Sequence, residues 1–123
     1  MNTQEVAGKL VEFCREGKNL DAINELYADN VVSHEPKGSH MELSEGKESA
    51  IAKNQQWYDM VEEVHSGRVS DPIVSGNFFS VTMDMDVTYK GQGRSMMSEV
   101  CVYEVKDGKI VTETFFYNLP QQT

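Results

Sequence analysis

The sequence is poor in the features that mark specialised protein classes. It holds two cysteines, Cys14 and Cys101, in 123 residues. They form neither a CxxC pair nor a disulfide framework. Each sits among apolar neighbours, which predicts two reduced, buried thiols in a cytoplasmic protein, with a bridge between them as the alternative. Long apolar runs are also missing, and no stretch approaches the roughly 20 residues that span a bilayer. Residues 1–17 are mixed and acidic, without the basic start and apolar run of a signal peptide. Basic residues are scarce: 11 lysines and arginines against 20 aspartates and glutamates give a formal charge of −9. Acids spread along the whole chain repel a phosphate backbone, so nucleic acid is not expected as a partner. An anionic membrane surface is disfavoured for the same reason.

The motifs of common cofactor and nucleophile chemistry are absent too. There is no serine nucleophile elbow. Gly91-Gln92-Gly93 precedes no helix that could cradle a phosphate, and reads as a turn. His34, His40 and His65 show no HExxH or paired Cys/His spacing, so no metal is expected. No other cofactor is implied. His34 and His65 read as partners to acids or as pocket wall.

What is present is an ordinary globular composition, 39% hydrophobic and 25% charged. That length and mixture fit one domain over residues 1–123, large enough to bury a core. Val6, Leu10, Phe13 and Cys14 recur at helical spacing after a cap at Asn2 or Thr3, and Gly17 is a natural stop. Leu20, Ile23, Leu26 and Tyr27 mark a second short helix that Asp29-Asn30 ends. Val31-Val32-Ser33-His34-Glu35 reads as a short strand, because Pro36 pushes the residue before it toward an extended conformation. A polar loop follows. A third helix is predicted over 47–63, with Ala50, Trp57, Val61 and Val64 on one side.

The period then changes to two. A strand is expected over 68–74, with Pro72 marking an edge or bulge. Phe79, Val81, Met83, Met85 and Val87 alternate with Ser80, Thr82, Asp84, Asp86 and Thr88, a strand with one buried face. Two more strands, 97–105 and 110–117, flank Lys106-Asp107-Gly108, read as a three-residue hairpin loop. The tail from Leu119 to Thr123 is expected to fray. Strands gathered at the end predict an α+β domain in the order α-α-β-α-β-β-β-β, with an antiparallel sheet against three N-terminal helices.

That order, with three local patterns, resembles the nuclear-transport-factor-2-like superfamily, in its SnoaL-like and ketosteroid-isomerase-like branch. The patterns are Leu26-Tyr27-Ala28-Asp29-Asn30-Val31-Val32-Ser33-His34-Glu35-Pro36, then Gly46-Lys47-Glu48-Ser49-Ala50-Ile51, then Tyr103-Glu104-Val105-Lys106-Asp107-Gly108-Lys109-Ile110-Val111. The resemblance covers nearly the whole chain. It implies a cone whose curved sheet and helices enclose a pocket for a small apolar ligand, commonly as a homodimer formed through the sheet. It also implies that Glu35, an acid directly before a proline at the end of the short strand, matches the general base of ketosteroid isomerases. A carboxylate there could move a proton between carbons or activate a water. The plain alternative is a solvated acid at a strand end.

The same comparison removes part of that machinery. Ketosteroid isomerases hold the enolate with a tyrosine and a neutral carboxylic acid. At those two positions this sequence has Cys14 and Cys101, and a thiol is a weak donor. The Asp-Arg-Asp arrangement of limonene-epoxide hydrolases has no counterpart either.

A three-residue hairpin loop would set Tyr103 opposite Val111, Cys101 opposite Glu113, Glu99 opposite Phe115 and Met97 opposite Tyr117, all on one face. If that face is concave, Glu99, Glu113, Tyr103 and Tyr117 point into the cavity with Met83 and Met85. Neighbouring carboxylates there would push one another's pKa upward. A two-residue loop would slip the register and send Glu113 outward. Trp57 is read as core or pocket wall. Two functions remain open: a cofactor-independent acid/base enzyme acting on a small apolar carbonyl or polyketide-like compound, or a binding or dimerisation module without turnover.

Overall fold

The computed structural model describes residues 1–39 and 41–119. His40 and residues 120–123, which include most of the tail, lie outside the described residues. Three helices lead into a curved, unclosed sheet: α1 (Thr3–Arg15), α2 (Asn19–Leu26), β1 (Tyr27–His34), β2 (Leu43–Glu45), α3 (Lys47–Met60), β3 (Val61–Val69), β4 (Ile73–Ser75), β5 (Phe78–Tyr89), β6 (Gly93–Lys106) and β7 (Lys109–Phe116).

The helices form where the sequence supplies both an apolar face and an end signal. Asn2 caps α1 reciprocally: its side chain accepts from the Glu5 amide at 2.8 Å, and the Glu5 carboxylate accepts from the Asn2 amide at 3.1 Å. Val6, Ala7, Leu10 and Val11 of α1 then bury against Ala22, Ile23 and Leu26 of α2. Each large aliphatic side chain removed from water there contributes about 1.5–3 kcal/mol. Gly46 opens α3 at a φ of 95°, which only glycine adopts without strain, and its amide donates to Val31 O at 2.7 Å.

The sheet order is β2-β1-β7-β6-β5-β3, with β4 pairing to β5. The sheet is mixed rather than antiparallel, because β1 runs parallel to β7. The short strand β2 was not expected, and the single strand expected over 68–74 is divided between the end of β3 and the start of β4. The third helix ends at Met60, not at residue 63; Val61 and Val64 belong to β3, which pairs with β5 as far as Val69↔Met83. Pro72 falls in the gap between β3 and β4, where no ladder amide is required. On β5 the expected alternation holds: Phe79, Val81 and Val87 are buried. Across to β6 the inward pairs are Phe79↔Tyr103, Val81↔Cys101, Met83↔Glu99 and Met85↔Met97. Phe79 and Tyr103 stack with centroids 4.8 Å apart.

The last hairpin corrects the expected register. Its loop has two residues, Asp107 and Gly108, both at positive φ, and Lys106 pairs with Lys109. A slipped ladder would turn Glu113 outward. Instead a bulge inserts Val111 between the pairs Val105↔Ile110 and Glu104↔Thr112. The extra residue restores the phase. Glu113 lies opposite Tyr103, and Phe115 opposite Cys101, so Glu113 is buried at 3% exposure.

Candidate functional site

Between the helices and the concave face of the sheet lies a cavity of about 240 Å³. Of the residues singled out from sequence, Glu35, Glu99, Glu113, Tyr103, Tyr117, Trp57, Met83, Met85 and Cys14 line it. Two do not. His34 alternates with Ser33 on β1 and is exposed. Cys101 is fully buried behind the wall, where its thiol donates to Glu99 Oε1 at 3.6 Å. His65 also lies away from the cavity, between Glu63 Oε2 at 2.9 Å and Thr88 Oγ1 at 2.6 Å. Both thiols are free.

Glu35 follows β1, at the rim of the parallel β1–β7 seam. Its Oε2 accepts from the Lys53 ammonium at 3.0 Å and its Oε1 from the Tyr117 hydroxyl at 2.8 Å. The pair is largely shielded, with 14% of the Glu35 side chain and 21% of the Lys53 side chain exposed. Burial and the hydrogen bond to Glu35 push the Tyr117 hydroxyl well above its ordinary value, so it stays a donor.

Glu113 sits deeper. Ser33, its neighbour across the parallel ladder, donates to Oε1, and the Tyr27 hydroxyl donates to Oε2. Burial raises its pKa, opposed by Lys53, whose Nζ is 3.9 Å from Oε1, and by the two hydroxyls. Glu99 is less well supported, since the Cys101 thiol is its only hydrogen-bond partner among the described residues. Burial first, then the charge of Glu35, pushes its pKa up to about 7. The cavity thus holds three carboxyl groups of different character: one paired with an ammonium, one locked by hydroxyls, and one poised to hold or release a proton near neutrality. The Cys14 thiol in the wall is pushed up to about 12, mainly by burial.

Sequence reasoning missed Lys53. On α3 it stands three residues after Ala50 and four before Trp57, so the inward stripe already named carried it. A lysine on a helix normally reads as solvated, and that masked the signal. Its ammonium also lies 4.8 Å from the centre of the Phe115 ring, a cation–π contact. Tyr27 and Ser33 were missed as well, because their role depends on β7 lying beside β1. Near the cavity mouth, Trp57 Nε1 donates to Tyr89 at 3.2 Å, and the Tyr89 hydroxyl turns to the Met97 sulfur.

Residues 1–117 match the profile of the SnoaL-like domain. A crystal structure from Mesorhizobium loti, provisionally named a SnoaL-like polyketide cyclase, is 39% identical over 95% of this chain and 100% of its own, with a TM-score of 0.89. A second provisional SnoaL-like polyketide cyclase, from a Jannaschia species, is 18% identical over 95% of this chain and 87% of its own, with a TM-score of 0.76. A provisional isomerase from Bacillus subtilis is 23% identical over 96% and 90%, with a TM-score of 0.74. The last two likenesses concern the fold alone. No match was found among curated proteins.

Proposed function

The chain belongs to the SnoaL-like domain family, and from that premise we propose that its cavity performs cofactor-independent acid/base chemistry on a small, mainly apolar carbonyl or polyketide-like compound, with Glu35 as the proton acceptor. One observation carries the reading: a carboxylate is held inside a mostly apolar cavity, with an ammonium on one oxygen and a hydroxyl on the other. A base needs to be fixed within reach of its proton, and these two contacts fix it. Glu99, which keeps a proton up to about 7, supplies the complementary acid across the cavity. Met83, Met85 and Trp57 give an adaptable apolar wall.

The test is deuterium wash-in. A panel of small cyclic ketones is incubated with the protein in D2O, and exchange next to the carbonyl is followed by NMR. Acceleration of at least one member above the buffer rate supports the reading. Ligands that bind with no exchange support the second reading, a binding module. That alternative draws on the fact that both Glu35 oxygens already have partners.

The same reading includes a homodimer formed through the outer sheet face. There Val100 pairs with Phe116 across β6 and β7, both exposed, beside the polar row of β5. Sedimentation velocity should show a species of twice the chain mass, and Val100→Lys should dissociate it. A monomer at all concentrations sinks the dimer without touching the chemistry. Among the described residues no helix is long and apolar enough to cross a membrane. The reading places the protein in the cytoplasm, where unpaired thiols persist; cell fractionation that recovers it elsewhere would count against this.

A further inference from the structure

Proton abstraction next to a carbonyl leaves a negative oxygen, and something must hold it. The two positions that resemblance assigns to that task carry Cys14 and Cys101. Cys14 is a weak donor in the wall, and Cys101 is behind it. The Tyr117 hydroxyl is engaged by Glu35, and the Trp57 indole by Tyr89. Lys53 is different. Its ammonium has three N–H groups, and among the described residues only Glu35 lies within hydrogen-bond distance. Glu113, at 3.9 Å, is already served by Ser33 and Tyr27. An N–H of Lys53 is therefore available to the cavity, beside the base itself.

We propose that Lys53 is a catalytic residue that binds the substrate oxyanion, taking it over from Glu35 as its counter-ion in the same step that neutralises Glu35. The inference rests on the acid/base reading above. The step balances. The carbon–hydrogen bond breaks, its proton forms an O–H bond on Glu35, its electron pair becomes the enolate double bond, and the carbonyl π pair moves onto oxygen. Before the step the ammonium faces a carboxylate; after it, the ammonium faces the enolate oxygen beside a neutral acid. The site gains no net charge, so the apolar cavity is not asked to bury a new one. The substrate class follows: compounds with an acidic carbon–hydrogen bond whose carbonyl oxygen sits close to that carbon, because Lys53 and Glu35 are only 3.0 Å apart.

The experiment uses an anion as a stand-in for the enolate. The probe is 2,6-dichloro-4-nitrophenol, anionic at mildly acidic pH, below the value near 7 at which Glu99 ionises. Its uncharged counterpart is 3,5-dichloronitrobenzene. Glu35→Gln removes the competing carboxylate and should tighten phenolate binding roughly 10-fold or more, leaving the neutral compound within about 2-fold. Adding Lys53→Met should erase that gain, and Lys53→Arg in its place should keep most of it. Circular dichroism checks that each variant is folded, and the arginine variant preserves the comparison if the methionine one is not. No gain in Glu35→Gln, or a gain that survives Lys53→Met, overturns the role of Lys53 while the pocket reading stands. If neither the wild-type protein nor folded Glu35→Gln binds either compound, the small-molecule pocket reading fails, and this inference with it.

Discussion

Replacing Glu35 with glutamine is expected to lower any wash-in rate by about 10²–10⁴-fold, the usual contribution of a positioned base. Glutamine keeps the size of the side chain and can still accept from Tyr117. It cannot take a proton, and its amide group offers Lys53 no charge. The change leaves the Lys53 ammonium without its main counter-ion in a largely shielded place, although the Glu113 oxygen at 3.9 Å stays nearby. A loss of stability of about 1–3 kcal/mol is expected from that alone. Rate and thermal midpoint must therefore be read together. A folded Glu35→Gln protein that exchanges as fast as the wild type would remove Glu35 from the chemistry. Glu35→Asp retreats the carboxylate by one methylene and should retain a small part of the rate.

The second large effect concerns stability and pH, through Glu99. Its carboxyl is raised from an ordinary 4.5 to about 7 in the folded protein. The unfolded chain therefore releases this proton first. Between about 4.5 and 7 the folded state binds more protons than the unfolded one, so stability falls as pH rises through that window and levels off above it. A shift of this size corresponds to about 3 kcal/mol, and the partial exposure of Glu99 reduces the expected effect to about 2 kcal/mol. Glu99→Gln removes the difference. The variant should match the wild type near pH 4 and exceed it by about 2 kcal/mol near pH 8 in urea denaturation. Glu113 is raised by burial in the same direction, but it is common to both proteins and cancels in the comparison. Parallel stability curves for the two proteins would mean that Glu99 is solvated when folded.

The fold was legible where one local period governs a whole segment. The alternation of Phe79 through Val87 and the helical faces of Val6, Leu10, Ile23 and Leu26 each point one way, and the structure follows them. It was illegible where distant segments decide. Val61 and Val64 continue the helical spacing and Glu62 and Glu63 are good helix formers, yet these residues form β3 because β5 offers an edge to pair with. Nothing near Tyr27 or Ser33 announces β7, so neither the parallel seam nor their bonds to Glu113 could be read locally. An incorrect loop length put Glu113 on one face with Tyr103 and Glu99, as in the structure, and left open whether that face was the concave one. The shorter turn and the Val111 bulge cancel, and parity alone cannot separate the two. Lys53 was hidden by a composition habit, since a lysine is usually a surface residue until the space around it is known.

The parallel seam also has a consequence in time. Tyr27 and Glu113 are 86 positions apart, Ser33 and Glu113 80, and Glu35 and Tyr117 82. Chain ends that distant meet late, because closing so long a loop costs entropy before any contact repays it. During synthesis, a chain that has emerged only through β6 carries Glu35, Lys53 and Glu99, but neither Glu113 nor Tyr117. β7 and Tyr117 just after it bring one more acid together with a hydroxyl for Glu35, and the acid meets the waiting hydroxyls of Tyr27 and Ser33. The crowded carboxyl cluster is assembled only when the partners that make it tolerable arrive with it, so a nascent chain is spared the electrostatic burden of the full cluster until β7 has emerged.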